Sequence, residues 1–184
     1  MTKRIILFLS VLAIALGFAC DQFQPQNSTD GHLADGDYRV YFSPQGGCTE
    51  AVVAQLEAAK SNILVQAYSF TSAPIAKALV DAHKRGVKIQ VILDKSQRTE
   101  KYSEADFLGH ADIPTFIDAK HSIAHNKIMI IDGEFVITGS FNFTTAAEKR
   151  NAENLLVIHN GNLASTYTKN WETHLAHSEA YSGK

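Results

Sequence analysis

The chain has 184 residues, of which 45% are hydrophobic and 20% charged, and its formal net charge is −2 at pH 7. These values are typical of one globular domain of ordinary size with a substantial core. They exclude a globally cationic nucleic-acid-binding protein, so any contact with nucleic acid must be local.

The first 19 residues have the pattern of a secretory signal peptide. Lys3 and Arg4 precede an apolar run over residues 5–19, which ends in small side chains and is short for a membrane span. A retained N-terminal anchor is the alternative. Cleavage would leave 15 basic residues (17 less Lys3 and Arg4) against 19 acidic ones, a net charge of −4. We therefore expect an exported protein, either periplasmic or secreted.

Two interpretations are open for Cys20. The small residues before it resemble a bacterial lipoprotein site, although Gly17 stands where that pattern has Leu. Alternatively, ordinary cleavage after Ala19 leaves Cys20 free to pair with Cys48 in an oxidising compartment. The second interpretation is preferred, and only lipidation of Cys20 would place the protein at a membrane.

A polar segment separates the signal peptide from the domain. Residues 20–37 are rich in Gln, Asn, Ser, Asp and Gly, a composition typical of a flexible linker. We expect the folded domain to cover residues 38–178 and residues 179–184 to form a C-terminal tail.

Within the domain, hydrophobic periodicity predicts alternating strands and helices. The predicted strands are 38–42, 62–70, 87–93, 115–117 and 154–159. The predicted helices are 49–60, one from Ser72 to near Gly86, a weaker one within 100–109, and 163–177. With a hairpin inserted among them, these elements predict an α/β fold with a mixed, mainly parallel β-sheet flanked by helices on both faces.

Basic side chains are concentrated between residues 84 and 101. Such a run is either a solvated face or a local contact for a phosphate backbone. Because the segment follows a predicted parallel strand, where such sheets place ligand loops, Lys95, Arg98 and Lys101 are candidate substrate contacts.

The stretch over residues 123–143 predicts a β-hairpin. Asp132 and Gly133 lie between two apolar runs and are a strong signal for a two-residue turn. A regular turn would place His125 opposite Ser140 across the hairpin. Titratable groups rarely enter a buried sheet without a reason, so the polar residues of this hairpin are candidate functional residues.

These polar residues suit chemistry on phosphate. Side chains alternate along a strand, so His125, Lys127 and Ser140 are expected on one face, with Asn142 at the same end. Ammonium, hydroxyl and carboxamide donors suit an anion, above all phosphate oxygens. An imidazole beside a bound phosphate can attack phosphorus and form a phosphohistidine that water later hydrolyses. That route needs a neutral imidazole of fixed tautomer, so an acidic partner is expected.

Neither a metal nor a cofactor is predicted. His125 has no second His, Cys or Asp at zinc-ligand spacing, and Lys127 would repel a cation. No Walker loop or dinucleotide-binding turn is present in the sequence. His121 is a candidate substrate contact, with a solvated loop position as its alternative. His174 and His177 are predicted to lie on a helix surface.

The spacing of the hairpin residues resembles a known signature. In order, the pattern is His125-x-Lys127, four residues, Asp132, six residues, and Gly139-Ser140-x-Asn142. It resembles the HxK(x)4D(x)6GSxN motif of the phospholipase D superfamily at every motif position. The resemblance covers about the whole mature domain. It is strongest to the small exported bacterial endonucleases of that superfamily, which carry one motif per chain.

The resemblance implies a phosphodiesterase that needs no metal and whose active site is shared by the two subunits of a homodimer. It implies that His125 is the nucleophile and that His125 of the partner subunit is the general acid. Lys127 and Asn142 would hold phosphate oxygens, with Ser140 supporting them. Glu153 fits the position of an acid that orients His125.

Asp132 is expected to have a structural role, although the motif joins it to the histidine. It lies in the predicted turn, seven residues beyond His125. At about 3.3 Å per residue, the strand separates the two by roughly 20 Å.

Three functions compete at this stage. The first is a metal-independent endonuclease that cleaves DNA with little sequence preference, with RNA left open as a second substrate. The second is a phospholipase D or cardiolipin hydrolase with the same chemistry on phospholipid. The third, a catalytically silent nucleic-acid-binding module, is disfavoured because such a module has no need of all the motif residues.

Overall fold

A mixed β-sheet runs through the computed structural model, which describes residues 28–33 and 36–183. Its strands are β1 (Ser28–Leu33), β2 (Gly36–Ser43), β3 (Asn62–Ala67), β4 (Lys88–Asp94), β5 (Thr115–Asp118), β6 (Lys127–Ile131), β7 (Phe135–Gly139), β8 (Glu153–His159) and β9 (Glu179–Ala180). Its helices are α1 (Cys48–Ala58), α2 (Ala73–Lys84), α3 (Ala105–His110), α4 (Thr145–Lys149) and α5 (Gly161–Leu175). The predicted signal peptide, residues 1–19, and Cys20 lie outside the described residues.

The order of the strands in the sheet is β1-β2-β8-β7-β6-β3-β4-β5-β9. The α/β class and the mixed sheet are confirmed. The expected parallel majority is wrong, because only β3-β4 and β4-β5 are parallel and the other neighbours are antiparallel. Parallel neighbours need a crossover such as α2 or α3, whereas a short turn suffices between antiparallel strands.

Helices cover both faces of the sheet, as predicted. Helices α1 and α2 pack on one face, over a core that includes Val65 and Met129. Helix α5 packs on the other face, against Ile128 and Ile130. The indole N–H of Trp171 donates to the backbone oxygen of Val65 at 2.9 Å, which anchors α5 on the central strand β3. No helix in the described part of the chain has the length and apolar character that a membrane crossing requires.

Two segments expected to be irregular contain strands. Ser28–Leu33, within the predicted linker, pairs antiparallel with β2, and Glu179–Ala180, within the predicted tail, pairs with β5. Composition pointed to a linker because these residues have few apolar side chains to bury. An edge strand is held chiefly by its backbone hydrogen bonds, which any non-proline residue can make.

The hairpin of β6 and β7 has one more residue than a regular two-residue turn. The N–H of Glu134 donates to the oxygen of Ile131 at 3.0 Å, as the turn signal predicted. Ile131 pairs with Phe135, however, so Glu134 is an extra residue in the loop. The predicted register, with His125 opposite Ser140, is therefore wrong by one residue, since it assumed a hairpin without a bulge.

Candidate active site

The predicted catalytic side chains meet in one cleft at the end of the sheet where the interior strand β6 begins and its neighbour β7 ends. The residues that line this cleft are His125, Lys127, Gly139, Ser140, Asn142 and Glu153. The structure thus brings together all five residues to which the sequence assigned chemistry, although the hairpin register differs from the predicted one.

Hydrogen bonds to its backbone hold the loop that carries His125 on both sides of this residue. The N–H of Ala124 donates to the buried carboxylate of Asp94 at 2.7 Å, and the oxygen of Asn126 accepts from the N–H of Tyr68 at 2.8 Å. The ring of Tyr68 lies against the imidazole of His125, with 4.7 Å between the ring centroids. The imidazole is therefore positioned by the carboxyl ends of β3 and β4. Sequence reasoning missed Tyr68 and Asp94, although each lies where its parallel strand ends.

Lys127 is buried beside the imidazole. Only 6% of its surface is exposed, and its Nζ donates to the backbone oxygen of His125 at 2.9 Å. The Nζ also lies 5.1 Å from the centroid of the Tyr68 ring, within the range of a cation–π contact. Burial lowers the pKa of Lys127, and the negative charge of Glu153 partly opposes that shift. The site therefore contains a poorly hydrated ammonium group that a phosphate oxygen could neutralise.

Gly139 turns the chain so that Ser140 reaches the cleft. Its φ is 139°, and a Cβ at this position would lie 2.3 Å from the backbone oxygen of Asn154. That oxygen accepts from the N–H groups of both Ser140 and Phe141, at 3.1 and 3.2 Å. Only glycine fits such a close approach of two backbones. The end of β7 is thereby fixed against β8.

Ser140 and Glu153 form a short hydrogen-bonded pair at the end of the cleft. The Ser140 Oγ donates to Oε2 of Glu153 at 2.6 Å and accepts from the N–H of Asn154 at 3.1 Å. The other oxygen of Glu153 accepts from Nδ2 of Asn151 at 3.1 Å. In the described chain the carboxylate thus contacts Ser140 and Asn151 rather than the imidazole of His125, to which the sequence analysis assigned it.

Asn142 lies between the cleft and a wider groove. Its side-chain oxygen is buried and has no hydrogen-bond partner within the described residues. The groove continues past Tyr68, Tyr102 and Arg150. A buried polar atom without a partner is costly, so this carboxamide is a position where a bound ligand or a second subunit can supply a contact. The sequence analysis did not single out Arg150 or Tyr102.

Asp132 lies in the hairpin turn and does not line the cleft. Its carboxylate accepts from the N–H groups of Lys60, Ser61 and Asn62 at 2.9, 2.7 and 3.1 Å, and from the Ser61 hydroxyl at 2.8 Å. Burial raises the pKa of Asp132, but these donors outweigh it, and the pKa lies below its ordinary value. The carboxylate therefore ties the hairpin to the loop between α1 and β3.

The basic residues proposed as substrate contacts do not line the cleft. Lys95 donates to the backbone oxygen of His121 at 3.0 Å, and Arg98 forms an ion pair with Glu179 at 2.6 Å. Lys101 lies 5.2 Å from the ring centroid of Tyr102, which lines the groove.

His121 belongs to a second polar cluster, together with Asp118, His174 and His177. The prediction that His174 and His177 lie on a helix surface is wrong, because they are only 16% and 20% exposed. Residues 174–177, at the end of α5, turn over the end of β5 and direct both imidazoles towards Asp118. No sequence pattern relates residues 118 and 174.

The chain is similar in sequence to a described protein family and to individual proteins. The family described as "Cardiolipin synthase, PLD-like domain" matches residues 52–175, a range that includes every residue of the cleft. A phospholipase D from Rickettsia typhi is 44% identical over 154 residues, which are 84% of this chain and 76% of the relative. A mitochondrial cardiolipin hydrolase from Xenopus laevis is 30% identical over 66% of this chain and 58% of its own length.

A solved structure shares both the fold and part of the sequence. The crystal structure of Nuc from Salmonella typhimurium, described as a phospholipase D family member, superposes with a TM-score of 0.77 at 37% identity. The alignment covers 80% of this chain and 99% of Nuc. The fold of this chain is thus one already seen in a relative.

Proposed function

Since this chain belongs to the phospholipase D superfamily and is a phosphodiesterase of that type, we propose that it is an endonuclease that hydrolyses phosphodiester bonds of DNA. We propose further that His125 is its nucleophile, that two subunits share one active site, and that the catalytic step needs no metal ion. The observation that carries the proposal is that the loop holding His125 is fixed by hydrogen bonds on both sides of this residue, with the buried ammonium group of Lys127 bound to its backbone oxygen.

The first chemical step forms a P–N bond. A nitrogen of the neutral imidazole of His125 attacks phosphorus, and the P–O bond to the leaving group breaks. His125 of the partner subunit gives its proton to the leaving oxygen. Lys127, and the side-chain amide of Asn142 if its nitrogen faces the cleft, stabilise the negative charge that builds up on the non-bridging oxygens.

The second step returns the imidazole to its starting state. Water attacks phosphorus, and its proton passes to the partner subunit's His125, which now acts as a base. The P–N bond breaks as the new P–O bond forms. Ser140 and Glu153 support the cleft through their 2.6 Å hydrogen bond, and the negative charge of Glu153 favours the protonated form of Lys127.

The choice of DNA is supported by the resemblance of the single hairpin motif to the small exported bacterial endonucleases of the superfamily. The groove beside the cleft also carries Arg150, an exposed cation suited to a phosphate backbone. A phospholipid is the second candidate substrate. It is favoured by the 44% identity to a protein named phospholipase D and by the similarity to a cardiolipin hydrolase.

One assay distinguishes these substrates. The purified mature protein is incubated at 25 °C with plasmid DNA and, separately, with vesicles of phosphatidylcholine or cardiolipin, each with excess EDTA. The wild type is compared with His125→Ala and with His110→Ala, a matched change of an exposed histidine at the end of α3. We expect the wild type and His110→Ala to cut DNA in EDTA and His125→Ala to be at least roughly a thousandfold slower.

The other outcomes are equally informative. DNA cleavage that persists in His125→Ala, or that EDTA abolishes while the protein stays folded, would contradict the mechanism. Turnover of lipid without cleavage of DNA would select the phospholipase. Binding of DNA without any turnover would select the silent module.

A further inference from the structure

The cluster of Asp118, His121, His174 and His177 lies apart from the residues that line the catalytic cleft. Asp118 ends β5, which β3 and β4 separate from β6 in the sheet. At about 4.8 Å per strand, the cluster is roughly 14 Å from the start of β6. The proposed mechanism uses none of these four residues.

Three imidazoles converge on one carboxylate. The nearest nitrogens of His121, His174 and His177 lie 2.9, 2.8 and 3.3 Å from the same oxygen, Oδ2 of Asp118. The Asp118 side chain is fully buried, whereas His121 is 43% exposed. Nδ1 of His121 also lies 3.1 Å from Oδ1, which already accepts from two backbone N–H groups. Five donors therefore surround a carboxylate with about four lone-pair positions, so hydrogen bonding alone explains the convergence poorly.

The donor set is that of a transition-metal site. One atom from each of the four side chains can be chosen so that all four atoms lie within 4.8 Å of one another. Three imidazole nitrogens and one carboxylate oxygen are ligands that Zn²⁺ takes at about 2.0–2.2 Å in a tetrahedral arrangement. Small rotations of the side chains would bring the four atoms onto an ion between them. The partly exposed imidazole of His121 leaves a path from solvent.

The surrounding structure orients these ligands. The Oδ1 atom of Asp118 accepts from the N–H groups of Lys120 and His121 at 3.1 and 3.4 Å. His174 lies in the last turn of α5, and this helix is anchored on β3 by Trp171. Such supporting contacts are typical of metal ligands, because they fix the direction of each donor atom.

We propose that Asp118, His121, His174 and His177 bind a transition-metal ion of the Zn²⁺ class with a structural role. The ion would join the end of α5 to the end of β5 and to the loop over residues 119–126. That loop carries His125, and Lys95 already contacts it through the backbone oxygen of His121. The ion would therefore add to the stability of this end of the fold without contacting the substrate, and its removal by EDTA would leave the folded cleft active at 25 °C.

The proposal is tested by metal binding, which does not depend on the substrate. The full mature chain, prepared without a polyhistidine tag and stripped with EDTA, is titrated with Zn²⁺ by calorimetry and with Co²⁺ by visible absorption at pH 7.5. We expect one ion per chain and the intense Co²⁺ bands of a tetrahedral site. At a hundredfold excess of Zn²⁺ over its Kd, the Tm should rise by roughly 5–10 °C.

Three variants locate the site. His177→Gln, beyond the end of α5, and Asp118→Asn should each weaken Zn²⁺ binding at least roughly tenfold and remove the Zn²⁺-dependent rise in Tm. His110→Ala should bind Zn²⁺ like the wild type. Circular dichroism identifies variants that fail to fold, and His177→Gln removes the more peripheral ligand. Absence of a stoichiometric site in the wild type, or unchanged binding by folded His177→Gln and Asp118→Asn, would overturn the proposal.

Discussion

At the scale of single residues, Lys127 both holds the backbone of His125 and places a positive charge in the cleft. Its ammonium group is buried, donates to the backbone of His125, and lies over the ring of Tyr68. We expect Lys127→Met to lower the rate of DNA cleavage by about 10²–10³-fold, since one charged donor to the transition state is lost. Lys127→Arg should restore little, because a planar guanidinium does not fit a pocket shaped for an ammonium group.

This expectation can be checked with kcat and KM for both variants beside Lys84→Met, a change of an exposed lysine at the end of α2. Lys84→Met should retain the wild-type rate. A folded Lys127→Met that keeps more than a tenth of the wild-type rate would show that the ammonium group is not part of the chemistry.

The residues of the cleft could be predicted because they lie close together in sequence. His125 and Lys127 precede one turn, Ser140 and Asn142 follow it, and a hairpin joins both sides of the turn whatever its register. The cluster at Asp118 could not be predicted in this way. His174 lies 56 residues away, and only the packing of α5 on the sheet brings the two together.

At the scale of elements, the carboxylate of Asp132 joins the hairpin to the start of β3. Asp132→Asn retains the shape of the side chain but loses its charge and part of its acceptor capacity. We expect it to lower the free energy of unfolding by about 1–2 kcal/mol at pH 7, while DNA cleavage at 25 °C stays near the wild-type rate. Urea denaturation measures the difference, with Glu57→Gln on the exposed side of α1 as the control.

The difference in stability between wild type and Asp132→Asn should also depend on pH, and the direction follows from the pKa of Asp132. The pKa of Asp132 is lower in the folded chain, so its contribution to stability is present in full above the unfolded pKa of about 3.9 and is lost as pH falls through the folded value. The difference between wild type and Asp132→Asn should therefore shrink below about pH 4. If the difference in free energy of unfolding stays the same between pH 7 and pH 3, it is due to the shape of the side chain rather than to its charge.

The sequence also predicted most elements because their hydrophobic periodicity was unambiguous. The helix from Ser72 to near Gly86, for example, was predicted from its spacing and is observed as Ala73–Lys84. The short helix Thr145–Lys149 was missed, because five residues are too few to show a period. It is held by contacts remote in sequence: the carboxylate of Glu148 accepts from the N–H groups of Gly47 and Thr49.

At the scale of the whole molecule, the proposed mechanism requires two chains, because one chain supplies a single His125 and the reaction uses two imidazoles. We expect a heterodimer of the wild type and His125→Ala to cleave DNA at least about 100-fold more slowly than the wild-type homodimer. Coexpression with two different affinity tags, followed by tandem purification, yields the mixed species.

A heterodimer of the wild type and His110→Ala, purified in the same way, controls for the tags and for subunit exchange. If each chain instead carried a complete and independent site, the heterodimer with His125→Ala would retain about half of the wild-type rate. A wild-type protein that is monomeric by light scattering and fully active would exclude the shared site altogether.

The extra residue in the hairpin, Glu134, allows the hairpin to accommodate the deletion of one residue. Glu134 follows a turn that the hydrogen bond to Ile131 already closes, and pairing begins only at Phe135. Deleting Glu134 would therefore leave Ile131 opposite Phe135, at the cost of the hydrogen bond from the N–H of Asn160 to its backbone oxygen. Deleting Phe135 would shorten the loop equally but place Glu134 opposite Ile131, with loss of the stacked contact between Phe135 and His159. The hairpin can lose one residue at this position and still deliver Ser140 to the cleft.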